Sequence, residues 1–330
     1  MSTPVIEPDA AGIARAVATL RAGGLVAFPT ETVYGLGADA RSTAAVRSIF
    51  VAKERPHDNP LIVHVADARQ LEDVAVDVPA AAFALARRFW PGALTLVLRR
   101  GPAIPAEVSR GLDTLAVRVP AHPVALALLQ AFNGPIAAPS ANRSGRPSPT
   151  QAAHVLADLD GRIDLILDGG GAALGIESTV LDLVGPRPLL LRRGAVTREA
   201  LAEALGEVDV ATSEDEASRR SPGLRHRHYA PRCRVTLAPA GAGLEVALAL
   251  RDQHGPRDMI GLMVRGPAAP PPPGVLLRSL PEALEGYAGA LFAALRELEG
   301  RDVAAIVVEE VPEEGLGAAI MDRLRRAAAG

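Results

Sequence analysis

The chain has 330 residues, 48% of them hydrophobic, and a formal net charge of −3. That length favours two domains with real cores, and the slight acidity argues against a general nucleic-acid coat while leaving room for a local basic cleft. Cys233 is the only cysteine, which excludes disulfides within the chain and any cysteine-built zinc cluster. No apolar stretch of about 18 residues escapes charge or proline, and MSTPVIEPDA lacks the basic-then-apolar order of a signal peptide. A soluble, cytoplasmic protein is the expectation.

Apolar runs alternate with helical patterns over the first two hundred residues, which predicts an α/β fold. Gly24 to Phe28 reads as a buried strand, and Thr43 to Ala52 as a helix with Val46, Ile49 and Phe50 inward. Leu61 to Val65 is a second strand, Ala80 to Phe89 a helix, and Ala93 to Leu98 and Leu115 to Val119 further strands. Val124 to Phe132 reads as a helix. Ile163 to Leu167, Ser178 to Leu183 and Pro188 to Leu191 are short strands, and Thr197 opens a helix to Leu205. The expected first domain is 1–206.

Residues 207–234 change character: Glu207 to Arg220 is polar without apolar periodicity, and Ser221-Pro222-Gly223 is turn chemistry. This segment reads as a linker. From 235 to 330 the pattern resumes as a small Rossmann-like α/β domain, with strands Val235 to Leu237, Met259 to Val264 and Val303 to Val308. Helices are expected over Leu244 to Arg251, Ala283 to Glu299 and Ala318 to Ala328. A stiff connection runs through Pro270 to Pro273. No G-x-G-x-x-G follows the first of these strands, so no dinucleotide site is inferred.

Lys53 is the single lysine, against thirty-four arginines. A background that has exchanged lysine for arginine almost everywhere keeps a compact ammonium where a planar five-donor fork would not serve. Its company is polar. Lys53, Arg55, Asn59 and His64 suit a phosphate or carboxylate, although a solvated helix end above a core histidine would read the same way. Pro29 to Gly37, with Thr30 and Thr32 before two glycines, reads as a turn where backbone approaches a ligand or, equally, as an ordinary strand-to-helix turn. Arg118, within the run Thr114 to Pro120, is costly to bury unless it meets an anion; Asp39 or Glu177 would serve as a structural partner. Pro139 to Thr150, with Ala138 before it, carries Ser140, Ser148, an amide and two arginines. It reads as a phosphate cradle, the alternative being a surface loop with Ser148 or Thr150 capping a helix.

Together these patches ask for a ligand with several anionic groups and a small polar moiety. No Ser-His-Asp order, metal-ligand spacing or carboxylate pair stands out, so no protein metal site is expected. That pattern predicts chemistry driven by positioning and electrostatic clamping of phosphates.

FPTETVYGLGADA, KERPHDNPLIVHV, FWPGALTLVL, LAVRVP, PSANRSGRPSPT, GIESTVLDL and LLRRGAV occur in that order. Together they resemble the threonylcarbamoyl-AMP synthase family, the YrdC-like enzymes. SPGLRHRHYAP and the second α/β domain resemble the longer, two-domain form. The resemblance implies a twisted open sheet with a concave basic face. It also implies a nucleotidyltransferase that joins L-threonine, bicarbonate and ATP into threonylcarbamoyl-AMP and pyrophosphate. Mg²⁺ would arrive with ATP, and a separate complex would pass the product's threonylcarbamoyl group to tRNA.

By matching motif positions, the resemblance places Thr32, His64, Arg118, Ala138 and Ser178 around threonine, with Arg118 on its carboxylate. Arg55, Asn59, Thr114, Ser140, Ser148, Arg192 and Tyr229 would hold ATP. Lys53 and Arg55 would be the catalytic cations, Lys53 facing phosphate or developing carboxylate charge. The linker, rich in cations and closed by Tyr229, is expected to act as a lid. Leu224-Arg225-His226 departs from the family's usual methionine, lysine and aromatic but keeps bulk and charge.

Two rival readings share these features. A basic concave face could grip double-stranded RNA, and binding of that kind falls steeply with salt. Carbamoyl-transfer domains of hydrogenase maturation factors share the motifs but add cysteine-rich zinc segments, which a single cysteine does not provide.

Overall fold

A computed structural model describes residues 2–55, 59–211, 229–255 and 258–329. Segment 212–228, where the lid expectation, the Ser221-Pro222-Gly223 turn and the Leu224-Arg225-His226 departure fall, lies outside the described residues. So does Pro56. The chain divides into two compact units. The first holds Met1–Ser144, Pro149–Ala173 and Glu177–Arg225; the second holds Gly145–Ser148, Leu174–Ile176 and His226–Gly330.

The first unit is built on a twelve-stranded mixed sheet. Its strands are β1 (Val5–Ile6), β2 (Val26–Phe28), β3 (Gly35–Asp39), β4 (Ile62–His64), β5 (Ala75–Val76) and β6 (Leu94–Arg100). They continue with β7 (Thr114–Arg118), β8 (Ile136–Ala137), β9 (Leu165–Leu167), β10 (Thr179–Asp182), β11 (Leu189–Arg192) and β12 (Asp209–Val210). The spatial order is β1-β9-β2-β3-β8-β4-β7-β6-β10-β11-β12, with β5 beside β6. Residues 209–210, inside the segment read as linker, are thus paired in parallel with β11.

Alternation along the central strands sorts their residues onto two faces. Val63 of β4, Leu96 and Leu98 of β6, Leu115 and Val117 of β7 and Leu181 of β10 all enter the main core. The opposite face carries a smaller cluster of Ile62, Val97, Ala116, Val180 and Leu191. By the same alternation Thr95, Thr114, Arg118 and His64 belong to this second face. Helices cover the core side. Helix Thr43–Lys53 begins at Ser42, whose hydroxyl accepts from Ala45 N, and buries Val46, Ile49 and Phe50 as its pattern predicts. Helices Ala10–Arg21 and Pro123–Phe132 enclose a second cluster with Phe28, Leu165 and Leu167.

Of the stretch Pro29 to Gly37 read as a turn, residues 31–33 do bend, but Gly35 and Gly37 belong to β3. It pairs antiparallel with β2, Phe28 opposite Gly35 and Val26 opposite Gly37. A Cβ at Gly37 would come within 2.8 Å of Phe28 Cε1 and 2.9 Å of Ile136 Cγ2, so the glycine admits core packing, not a ligand. The N-cap expected at Ser148 or Thr150 falls instead on Gln151, which makes no side-chain cap, while His154 Nδ1 accepts from Thr150 N at 3.2 Å.

The second unit has a four-stranded parallel sheet: β13 (Arg234–Ala238), β14 (Ile260–Arg265), β15 (Val275–Leu280) and β16 (Ala305–Glu309), in the order β13-β16-β14-β15. β15 follows directly on the proline tract and was not legible beside it. Helix Leu284–Gly300 packs against the short segment Leu174–Ile176. There Gly175 has φ +67°, and a Cβ on it would lie 2.5 Å from Ala288 O and from Gly289 Cα. Glu299, buried on this helix, pairs with Arg146 and with Arg232. Gly145–Ser148 is therefore held by carboxylate and backbone contacts within this unit, Ala230 N donating to Gly145 O at 2.9 Å.

Candidate active site

β4 and β7 are parallel neighbours, and their register sets His64 beside Arg118. Both lie on the sheet face away from the main core, yet both are buried, at 3% exposure each. Arg118 is tightly held. Its Nε donates to Gly92 O at 3.0 Å, its Nη1 donates to Thr32 Oγ1 at 2.9 Å, and its Nη2 lies 2.6 Å from Glu31 Oε1. The partner foreseen as Asp39 or Glu177 is thus Glu31; Asp39 pairs with Arg41 instead.

The hydroxyls around Arg118 have a fixed direction. Thr30 Oγ1 donates to Val33 O at 2.6 Å, so the 2.8 Å contact between Thr30 and Thr32 must use the Thr32 proton. Thr32 Oγ1 then accepts from Arg118. His64 is neutral at working pH, because burial first and the Arg118 charge second push its pKa down to about 3. Its Nδ1 has no hydrogen-bond partner, and its ring meets Phe28 edge-on.

Ser178 lies just before β10. Its Oγ is 2.7 Å from Thr95 Oγ1 and accepts from Arg192 Nη2 at 3.1 Å, while Arg192 Nε donates to Ser178 O at 3.0 Å. Arg192, expected on ATP, thus also braces a residue expected on threonine. Ala138 N donates to Ile62 O, so any backbone contribution from Ala138 to a ligand comes from its carbonyl.

Lys53 ends its helix, which stops at Glu54 in a left-handed conformation. Its side chain is 1% exposed, and Nζ donates to two backbone carbonyls, Ser140 O at 2.5 Å and Asn142 O. Lys53 O also accepts from Ser144 N. The ammonium expected to face phosphate therefore also ties the Ser140–Ser144 loop down. Three tetrahedral donors suit converging carbonyls better than a planar fork does. Ser140 Oγ donates to Asn142 Oδ1 at 2.6 Å. Arg55, Asn59 and Thr114 are buried in the same unit, Arg55 Nη2 reaching Pro60 O at 3.4 Å.

Ser148 and Tyr229 belong to the second unit. Tyr229, foreseen as an ATP-facing lid residue, is 4% exposed and stacked on Phe292, ring centroids 5.3 Å apart, with the Arg323 guanidinium 5.7 Å from its centroid. An aromatic flanked by a ring and a buried cation sits inside a core.

Three groups escaped sequence reasoning: Glu31, Thr95 and the carbonyl of Gly92. Glu31 stood in plain view between two threonines, a lone carboxylate in a hydroxyl-rich motif. Among the described residues, no group of three or more His, Cys, Asp or Glu could hold a metal ion. No helix there is long and apolar enough to cross a membrane.

The sequence model described as "Telomere recombination", covering the Sua5, YciO and YrdC proteins, matches residues 18–194, and that of the threonylcarbamoyl-AMP synthase C-terminal domain matches 196–329. The chain belongs to the threonylcarbamoyl-AMP synthase family, in its two-domain form. Threonylcarbamoyl-AMP synthase of Bacillus subtilis is 46% identical over 323 residues, 96% of this chain and 93% of that protein. A doubly substituted Sua5 of Pyrococcus abyssi superposes with a TM-score of 0.91 at 40% identity, over 99% of this chain and 96% of its own. The same archaeal protein complexed with L-threonine gives 0.90 at 42% identity, over 96% and 94%. Membership in this family makes the chain an enzyme of adenylyl-transfer type, a transferase of tRNA modification.

Proposed function

We propose that the chain condenses L-threonine, bicarbonate and ATP into threonylcarbamoyl-AMP, releasing pyrophosphate, in the cytoplasm. The observation that carries this reading is the buried Arg118 cluster. A guanidinium fixed by Gly92 O and Thr32, beside an uncharged His64, is a preorganised anchor for one small carboxylate in a site shielded from water. Thr32, His64, Ser178 and the carbonyl of Ala138 would complete the amino-acid subsite.

Arg55, Asn59, Thr114, Ser140 and Arg192 would hold the nucleotide in the first unit, with Lys53 fixing the Ser140–Ser144 loop that carries Ser140. The threonine amine attacks the bicarbonate carbon, giving a carbamate. A carbamate oxygen then displaces pyrophosphate from the α-phosphorus in line, a step that needs alignment and charge neutralisation more than covalent help. The donors here are hydroxyls, amides and cations, which fit a Mg²⁺ carried on the nucleotide phosphates. Bound there it would offset the charge developing on pyrophosphate. The product would be handed to a complex that transfers the threonylcarbamoyl group to tRNA.

The test is pyrophosphate release with each substrate omitted in turn. Release should require threonine and bicarbonate together, and need no RNA. Equal release without either one would contradict the reading.

A further inference from the structure

Glu31 is the group in this cluster that the reaction so far leaves idle. Both of its carboxylate oxygens are shut off from solvent and neither accepts a hydrogen bond. Arg118 Nη2 is close to Oε1, but off the N–H direction, so it supplies charge without satisfying a lone pair. An ionised carboxylate offers about four lone-pair sites, and a buried one with none filled is rare in a folded protein. Such a group is built to receive donors.

The charges around it narrow the ligand. Arg118 and Glu31 cancel, His64 is neutral, and His122 feels the Glu31 charge. Burial holds the His122 pKa down, although Glu31 opposes that shift. A lone carboxylate entering this pocket would leave an uncompensated negative charge at low dielectric. A zwitterion would not. Its carboxylate meets Arg118, and its ammonium brings three N–H donors to oxygens that have none.

We infer that Glu31 binds the α-ammonium of the amino-acid substrate and takes one proton from it. This rests on the threonine reading above and assigns the amine its partner. One N–H bond breaks and a carboxyl O–H forms: R–NH₃⁺ and Glu–COO⁻ become R–NH₂ and Glu–COOH. The freed nitrogen lone pair then bonds to the carbon of bicarbonate, R–NH₂ and HCO₃⁻ giving R–NH–COO⁻ and water. The Glu31 proton returns to solvent with product release.

The test compares the full-length wild type with Glu31→Gln and Glu31→Asp, titrating L-threonine and 2,3-dihydroxybutyrate calorimetrically without ATP. The second compound keeps the carboxylate and the side chain but replaces the ammonium by a hydroxyl. Wild type should prefer threonine. Glu31→Gln should weaken threonine at least about tenfold and leave dihydroxybutyrate unchanged or tighter, because Arg118 has lost its competitor. Glu31→Asp should keep part of the preference. Equal weakening of both ligands in Glu31→Gln would mean a merely structural carboxylate and overturn the proposal. Tighter threonine binding would also overturn it, by making Glu31 a plug on Arg118. A wild type that binds neither compound would refute the threonine subsite itself.

Discussion

Lys53 Nζ donates to the backbone carbonyl of Ser140 at 2.5 Å, across 87 residues of sequence. The one lysine of the chain therefore links a helix end to the loop that carries Ser140 and Asn142. Losing the ammonium strands two carbonyl oxygens in a buried place, a cost of about 1–3 kcal/mol. Lys53→Met should lower the melting temperature as well as turnover. Lys53→Arg should do much the same, because a planar fork cannot converge on both carbonyls. Thermal melts and pyrophosphate assays of both variants check this, and an unchanged melt in both would refute the tethering role.

Arg118→Lys keeps the charge but cannot reach Gly92 O, Thr32 Oγ1 and Glu31 at once. Truncating a buried, hydrogen-bonded charge costs about 2–5 kcal/mol of binding. The threonine affinity of Arg118→Lys should fall by about 1.5 to 3.5 orders of magnitude, with ATP affinity little changed. Calorimetric titration with each ligand separately decides the matter.

His64 gives a pH signature. Its folded pKa is depressed to about 3 from an ordinary 6.5, so folding holds it neutral. Its contribution is full above pH 6.5 and is lost as pH falls towards 3, where the unfolded chain binds the extra proton. Wild type should therefore lose stability between pH 7 and 4 faster than His64→Gln. Denaturant melts of the two proteins across that range should converge on acidification; parallel curves would show that the site does not disfavour the charged ring.

How much of this was legible follows from what kind of signal each feature leaves. Long apolar runs gave β4, β6, β7 and their helices nearly residue for residue, since burial on both faces demands continuous hydrophobicity. Two-residue strands such as β1, β8 and β12 leave no period to read. β3 was hidden because Gly35 and Gly37 look like turn chemistry, whereas Gly37 is there to admit Phe28 and Ile136. The candidate site residues Thr32, His64 and Arg118 were readable as polar intrusions into apolar text. Their mutual contacts were not: Arg118 at the end of β7 meets Glu31 from the β2–β3 connection, and that meeting depends on the order of strands in the folded sheet. Tyr229 was read towards ATP, and its stack on Phe292 left no mark in the sequence because that partner lies in a distant element.

Gly175→Ala should be poorly tolerated. The added Cβ would meet Ala288 O and Gly289 Cα at 2.5 Å, both on a packed helix, and φ is +67°. Destabilisation of about 1–3 kcal/mol is expected from overpacking, with threonine affinity preserved, since the Arg118 cluster lies wholly in the other unit. A variant that melts like wild type would show that the helix can yield.

A chain truncated after Ala211 keeps all three hydrophobic clusters of the first unit, whose last buried member is Val208. It should fold and bind threonine. Segments 145–148 and 174–176 would lose Glu299 and the helix they pack on, so proteolysis should cut there first. Threonine titration and limited proteolysis of the truncated chain check both statements; loss of threonine binding would show that the first unit is incomplete alone.

The central claim is that this buried, charge-balanced pocket joins threonine to bicarbonate and hands the carbamate to ATP. Incubating the protein with labelled bicarbonate, L-threonine, ATP and Mg²⁺, then separating the nucleotides at once, tests it most directly. The account predicts a labelled adenylate that contains threonine, appears in step with pyrophosphate, and is absent when Arg118→Ala replaces the wild type. Label-free AMP and pyrophosphate from a chain with every substrate present and a rapid quench would contradict it.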